Sequence, residues 1–137
     1  MPGLLTHLSV AFFGALLLYF IFYKSKSKLI YGLAFAIGNI IPDLIDFGIL
    51  GIQQGSLNPA EIMHNPSFLA LAILGHTFLN WVITAFVVII IVFILYKFDK
   101  ISKKSLITIV ISAVLLLLGV FIHIKLDGLI IETSYWI

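Results

Sequence analysis

The sequence predicts an all-α integral membrane protein: a four-helix bundle with a short interfacial helix between its second and third spans. Three observations predict it. First, 62% of the 137 residues are hydrophobic and only 10% are charged, with a mean hydropathy of +1.22, whereas an ordinary soluble domain carries about 25% charged residues. Eight basic and six acidic side chains cannot cover the surface that a soluble domain of this size leaves in water. Second, four apolar runs each reach the roughly 20 residues that a helix needs to cross the hydrocarbon core. Third, the lysines gather in two of the connections between those runs and avoid the one between them. Low hydrophobicity, which disorder requires, is absent. The runs are also too long and too uniformly apolar for the short alternating strands of a barrel.

Taken in order, span one covers about Leu4–Tyr23. Its charged flank, Lys24, Lys26 and Lys28, follows the apolar run instead of preceding it. It therefore reads as an anchor with its N-terminus outside and not as a cleavable signal peptide. Span two covers about Leu29–Leu50. The connection Gly51–Pro66 has no lysine but has local order: Asn58-Pro59-Ala60-Glu61 reads as an N-cap, a proline at the first helical position and an acid at the third. A short interfacial helix is expected from there to about His64. Asn65-Pro66 repeats the start signal and opens span three, about Ser67–Tyr96. Lys97, Lys100, Lys103 and Lys104 then lead to span four, about Leu106–Ile131. The whole chain, 1–137, reads as one transmembrane domain.

The two lysine-rich connections lie on one side of a four-span chain, so the positive-inside rule makes them cytoplasmic and turns the middle connection and both termini outward. Lys125 is the exception and can snorkel to the outer interface. Tyr135 and Trp136 suit an interfacial aromatic belt. The net charge of +2 comes entirely from lysine against the six acids, and no basic face for a nucleic acid exists. Without cysteine there is neither a disulfide framework nor a thiolate metal site. Any metal must be held by His, Asp or Glu.

Polar groups are expensive in hydrocarbon, so those that remain in the spans are functional candidates. They are His7, Asn39, Asp43, Asp46, His76, Asn80, His123 and Asp127. Asn39, Asp43 and Asp46 share one helix face by their spacing, as do His76 with Asn80 and His123 with Asp127. Measured from the lysine end of each span at 1.5 Å per residue, His7, Asp43, Asp46, His76, His123 and Asp127 lie roughly 21–32 Å along, in one layer near the outer edge of a core about 30 Å thick. His64 sits in the connection that covers this layer. Histidine and carboxylate without cysteine suit zinc or another divalent ion, and a cation offsets the burial of carboxylates. Plainer roles exist for each residue. His76 reads more readily as a hydrogen-bonded structural histidine at a helix end, Asp43 could simply mark the helix end after Pro42, and His123 with Asp127 could be an i,i+4 structural pair. Asn39 and Asn80 suit interhelical hydrogen bonding. Glu61 suits a cap, and Glu132 a solvated position.

These residues resemble the motifs of the membrane-bound metal-dependent hydrolases typified by the bacterial YdjM protein. Four segments carry the resemblance over most of the chain: Thr6-His7-Leu8-Ser9 near the N-terminus; Ile41-Pro42-Asp43-Leu44-Ile45-Asp46, where the family has Pro-Asp-x-Asp; Met63-His64-Asn65-Pro66-Ser67, where the family has a longer two-histidine motif; and Gly119 through His123 to Asp127, a Gly-x-x-x-His-x-x-x-Asp helix. The two departures are the extra residue between Asp43 and Asp46 and the reduction of the two-histidine loop to His64, for which His76 is a candidate replacement. The family is in turn similar to zinc-dependent phospholipase C and P1-type nucleases, and this implies phosphoester hydrolysis.

The resemblance and the polar layer together lead to a divalent-metal-dependent hydrolase, with zinc the expected metal as one or two ions. His7, Asp43, His64, His123 and Asp127 are the expected ligands, and Asp46 a bridging ligand or general base. A site at headgroup height suits a lipid or lipid-linked phosphoester. Two alternatives stay open: a metal or proton transporter, since intramembrane acids and histidines also mark ion paths, and a structural membrane module whose metal staples helices. A site closed by four ligands favours the staple, and an open position favours hydrolysis.

Overall fold

The computed structural model describes residues 4–56 and 58–129, and every regular element in them is helical. Helix α1 runs Leu4–Ile21 and α2 Lys28–Asp43. A π-helical turn, Leu44–Gly48, continues α2 into α3, Ile49–Gln54. Helix α4 is Pro59–Met63, α5 Phe68–His76, α6 Phe78–Lys97 and α7 Lys103–Leu129. Three stretches are long and apolar enough to cross a membrane: Lys28–Gln54, Phe78–Lys97 and Lys103–Leu129; α1 is a shorter apolar helix. Residues 130–131, Glu132, Tyr135 and Trp136 lie outside the described residues.

Two boundaries differ from expectation. The second apolar run extends past Leu50, because the π turn carries the helix through Pro42 and on to Gln54. The third run is two helices and not one. Thr77 is extended (φ −88°, ψ 105°) and separates α5 from α6. Neither proline nor glycine occupies residue 77, so the break has a tertiary cause: Gly75 lies against the backbone of Pro42, where even a methyl group would stand 2.9 Å from the Pro42 carbonyl oxygen. Before α4, Asn58 caps as its sequence suggests, accepting from the Ala60 N–H at 3.1 Å, with Pro59 opening the helix.

Helix α2 is the centre of the molecule, packed against α1 on one side and α7 on another, while α6 packs on α7. Tyr31, Ala34, Phe35 and Leu115 form the buried core, lined by Leu18, Phe22, Ile111, Leu116 and Ile122. The outer faces stay apolar: Phe12, Phe13, Leu17 and Phe20 on α1, and Ile83, Phe86, Ile91 and Phe93 on α6, are exposed. Water would not tolerate so large an apolar surface, whereas lipid tails are matched to it. At the lysine end, Ser27 and Thr108 share a hydrogen bond of 3.2 Å, which ties the α1–α2 turn to the start of α7. The intramembrane histidines and acids sit at the other end.

The α2–α7 contact is a backbone contact. A side chain at Gly38 would overlap the carbonyl of Leu116, and one at Gly119 would overlap the carbonyl of Phe35. Without a hydrophobic drive between helices in lipid, small residues that let backbones approach are a main source of packing energy. Gly38→Val is therefore expected to destabilise the fold by about 1–3 kcal/mol, as overpacking does. Gly128→Ala, which adds a methyl group where nothing lies within 4 Å, should be neutral to within about 0.5 kcal/mol. Thermal unfolding in detergent followed by circular dichroism measures both.

Candidate metal centre

The close α2–α7 approach places the first ligand. His123, fully buried at 0% exposure, donates its Nδ1–H to the Asn39 carbonyl at 2.7 Å, and the Asn39 amide donates to the Gly119 carbonyl at 3.4 Å. A carbonyl only accepts, so Nδ1 carries the proton and the Nε2 lone pair points the other way. One helical turn on, Asp127 Oδ2 stands 3.3 Å from that Nε2. From α2, Asp43 Oδ1 stands 3.4 Å from it. From the end of α5, His76 Nε2 stands 3.2 Å from it.

His76 completes the set. Its Nε2 lies 3.1 Å from Asp127 Oδ2 and 3.5 Å from Asp43 Oδ1. The four donor atoms, from Asp43, His76, His123 and Asp127, all lie within 4.8 Å of one another. The five separations just given span 3.1–3.5 Å. A tetrahedron with metal–ligand bonds of roughly 2.0–2.1 Å has edges of about 3.3 Å. The chemistry fits as well as the spacing. Asp127 Oδ2 is buried and receives no hydrogen bond, although two imidazole nitrogens face it. Two carboxylates balance one divalent cation, which removes the penalty of burying unpaired charge. The cluster could hold a metal ion.

Around the four donors stand two residues that the sequence had placed among the ligands or catalysts. His7, 1% exposed, donates Nε2–H to the other Asp127 oxygen, Oδ1, at 3.2 Å, and its ring lies 4.1 Å from that of His123. Its place is therefore behind Asp127, where it orients the carboxylate. Asp46 is the second of the two. The π turn buries it completely, at 0% exposure; Oδ1 accepts from the Phe47 N–H at 2.8 Å, and Oδ2 faces His76 Nδ1 at 3.5 Å. It therefore lies behind His76, outside the group of four donors. Such outer partners fix ring orientation and tautomer in metal sites.

His64 does not join the cluster. Helix α4 closes on itself, and His64 Nδ1–H donates to the carbonyl of Ala60 on the previous turn. Its ring lines a shallow exposed pocket with Gln54, Ser56 and Glu61. The imidazole in the cluster is that of His76, which the sequence favoured as structural while keeping it as a candidate replacement for the missing histidine. The cause is a long-range fit: Gly75 beside it allows α5 to approach Pro42, the residue before Asp43. Asn80 spans the helix break by donating to the Leu74 carbonyl at 3.2 Å, and Asn39 joins α2 to α7, so both asparagines are hydrogen-bonding residues, as their type suggests.

Compared with protein-family models, curated proteins and solved structures, the chain finds no match. Its own residues therefore carry any functional reading. Metal content after purification should grade the roles. His64→Ala should retain metal as the wild type does. His7→Ala should weaken binding about 10–100-fold, the usual effect of losing an outer partner. His123→Ala should weaken it further than His7→Ala, because a donor atom is lost. Equilibrium competition with a chelator measures all three.

Proposed function

We propose that this chain is a membrane-bound, divalent-metal-dependent hydrolase acting on the phosphoester of a lipid or lipid-linked substrate. The observation that carries the proposal is the convergence of Asp43, His76, His123 and Asp127 into one group of donor atoms at the end of the helices remote from the lysine-rich turns. In a four-span arrangement with those turns cytoplasmic, the cluster lies at the outer headgroup level. Zinc suits two imidazoles and two carboxylates. A divalent ion held there supplies a Lewis acid for a phosphoryl or acyl oxygen and makes water a nucleophile at neutral pH.

The burial gradient supports access from one side. His123 is sealed at 0% side-chain exposure, while Asp43 and His76 keep 19% and 18%. A substrate or water therefore approaches past Asp43 and His76, with His123 and Asp127 as the fixed wall. Asp43 is the more exposed of the two donor carboxylates and the one that incoming water meets first. His7 holds Asp127 in register, Asp46 lies behind His76, and Asn39 sets the tautomer of His123.

A second reading draws on the same donors. Four ligands complete a tetrahedron, which is the mark of a structural site, and such a metal would staple α2, α5 and α7 without turnover. A transport role has less support, because among the described residues the stretch between the cluster and the lysine end carries apolar side chains with hydroxyls such as Thr84, Thr108 and Ser112, and no further histidine or acid.

Purified protein in lipid nanodiscs should contain stoichiometric metal and hydrolyse phospholipids or a generic phosphodiester. Chelation should abolish that activity, and His123→Ala should lack it. Metal that raises the melting temperature without any turnover would establish the staple instead, and metal flux in proteoliposomes would establish transport. Protein with no stoichiometric metal, unchanged by His123→Ala, would overturn every version.

A further inference from the structure

We infer that Trp81 is a positioning residue for the metal centre: its indole caps the break in the third apolar run and thereby aims His76 at the other three donors. The inference rests on the metal-site reading above.

In an unbroken helix the carbonyls of Leu74 and Gly75 would accept from the backbone N–H groups of Phe78 and Leu79. The extended Thr77 interrupts that ladder. Two side chains of α6 fill the gap. Trp81 Nε1–H donates to the Gly75 carbonyl at 2.7 Å, and Asn80 donates to the Leu74 carbonyl at 3.2 Å. Among apolar helices no water competes for such carbonyls, and irregular backbone persists only where its polar groups are satisfied within the protein. An indole N–H has the same need for a partner when buried.

Gly75 is held from two directions. Trp81 holds its carbonyl, and the backbone of Pro42 crowds its α-carbon so closely that no Cβ fits without displacement. His76 is the next residue and the last of α5, so the orientation of the Gly75–His76 peptide decides where the imidazole points. It is also the one donor of the four that comes from outside α2 and α7, and its Nδ1 has no aligned hydrogen bond of its own. Asp43 leaves a helix that continues into the π turn, and His123 and Asp127 lie within α7. His76 alone among the donors depends on a helix terminus. A tryptophan in an apolar helix ordinarily suggests an interfacial belt. Here it is half-buried, and its ring faces α2 and α7 across a cleft of about 480 Å³.

The test uses cobalt(II) as the probe, since four-coordinate cobalt absorbs strongly in the visible and higher coordination absorbs weakly. Full-length protein in nanodiscs is compared with Trp81→Phe, which removes the N–H and keeps an aromatic ring. The variant should bind cobalt about 10–100-fold more weakly, in the range of outer-partner losses, with a weaker visible band. The discriminating measurement is the same substitution made in a His76→Ala background. If Trp81 acts through His76, Trp81→Phe should have no further effect there. An equal loss in both backgrounds would show a general structural role and overturn the inference, as would unchanged affinity and spectrum in Trp81→Phe. Should the phenylalanine variant lose helicity, benzothienylalanine at residue 81 removes the donor at nearly constant shape, and the same two outcomes decide. Failure of the wild type to bind cobalt sinks the metal reading itself, which separates the two claims.

Discussion

The backbone approach of α2 to α7 through Gly38 and Gly119 is the constraint on which the rest depends. It builds half of the core around Phe35 and Leu115. It also brings the Asn39 carbonyl within 2.7 Å of His123 Nδ1, so the packing of two helices decides which nitrogen of one histidine faces the cluster. With that tautomer set, the lone pair of His123 Nε2 faces His76 Nε2 at 3.2 Å, with carboxylate oxygens of Asp43 and Asp127 alongside. A lone pair and two carboxylates held this close repel one another unless positive charge, a metal ion or a proton on His76, lies among them. The fold therefore does more than tolerate a polar cluster: by fixing His123 it creates a demand for positive charge at one point.

The residues surrounding that point are arranged in two layers with separate tasks. Asp43, His76, His123 and Asp127 supply the donor atoms. His7, Asp46 and Asn39 hold those side chains from behind, and each is at least as buried as the group it supports. This is the order that preorganisation requires, because a supporting group exposed to water or lipid would wander and carry its ligand with it. The sequence placed His7 and Asp46 in the same layer as the four donors, and the structure sets both just outside that group. Depth along a helix says which residues share a layer, and it does not say which of them reach the centre.

Much of the architecture was legible because hydrocarbon leaves few options. Apolar length marked the helical runs, lysine placement marked the turns at one end, and Asn58-Pro59 marked α4. The polar layer was legible from a rise of 1.5 Å per residue. What could not be read were rotations and breaks. His64 and His76 are both histidines near that layer, and spacing alone cannot tell that α4 folds back on its own carbonyls while α5 runs into Pro42. The break at Thr77 carries no proline or glycine of its own. Its cause is the fit of Gly75 against a helix more than thirty residues earlier in the chain, and such a cause has no local signature. The resemblance to a two-histidine loop drew attention to residue 64, where the geometry supplies the imidazole from residue 76.

The irregularities of the backbone repay comparison with its regular parts. At the lysine end, α1, α2, α6 and α7 meet in short turns joined by ordinary hydrogen bonds such as Ser27 to Thr108. At the other end, Pro42, the π turn Leu44–Gly48 and the break at Thr77 occur together, and each removes or lengthens a backbone hydrogen bond inside or beside an apolar stretch. π turns and interrupted helices persist in such surroundings only when other groups satisfy the freed carbonyls. Trp81 and Asn80 do this at Thr77. A chain that needed only to pack four apolar helices would lose stability by keeping three such departures at one end. They coincide with the only group of four mutually close acids and histidines among the described residues: Pro42 and the π turn flank Asp43, and the break at Thr77 follows His76, so the irregular backbone lies where two of the four side chains enter the cluster.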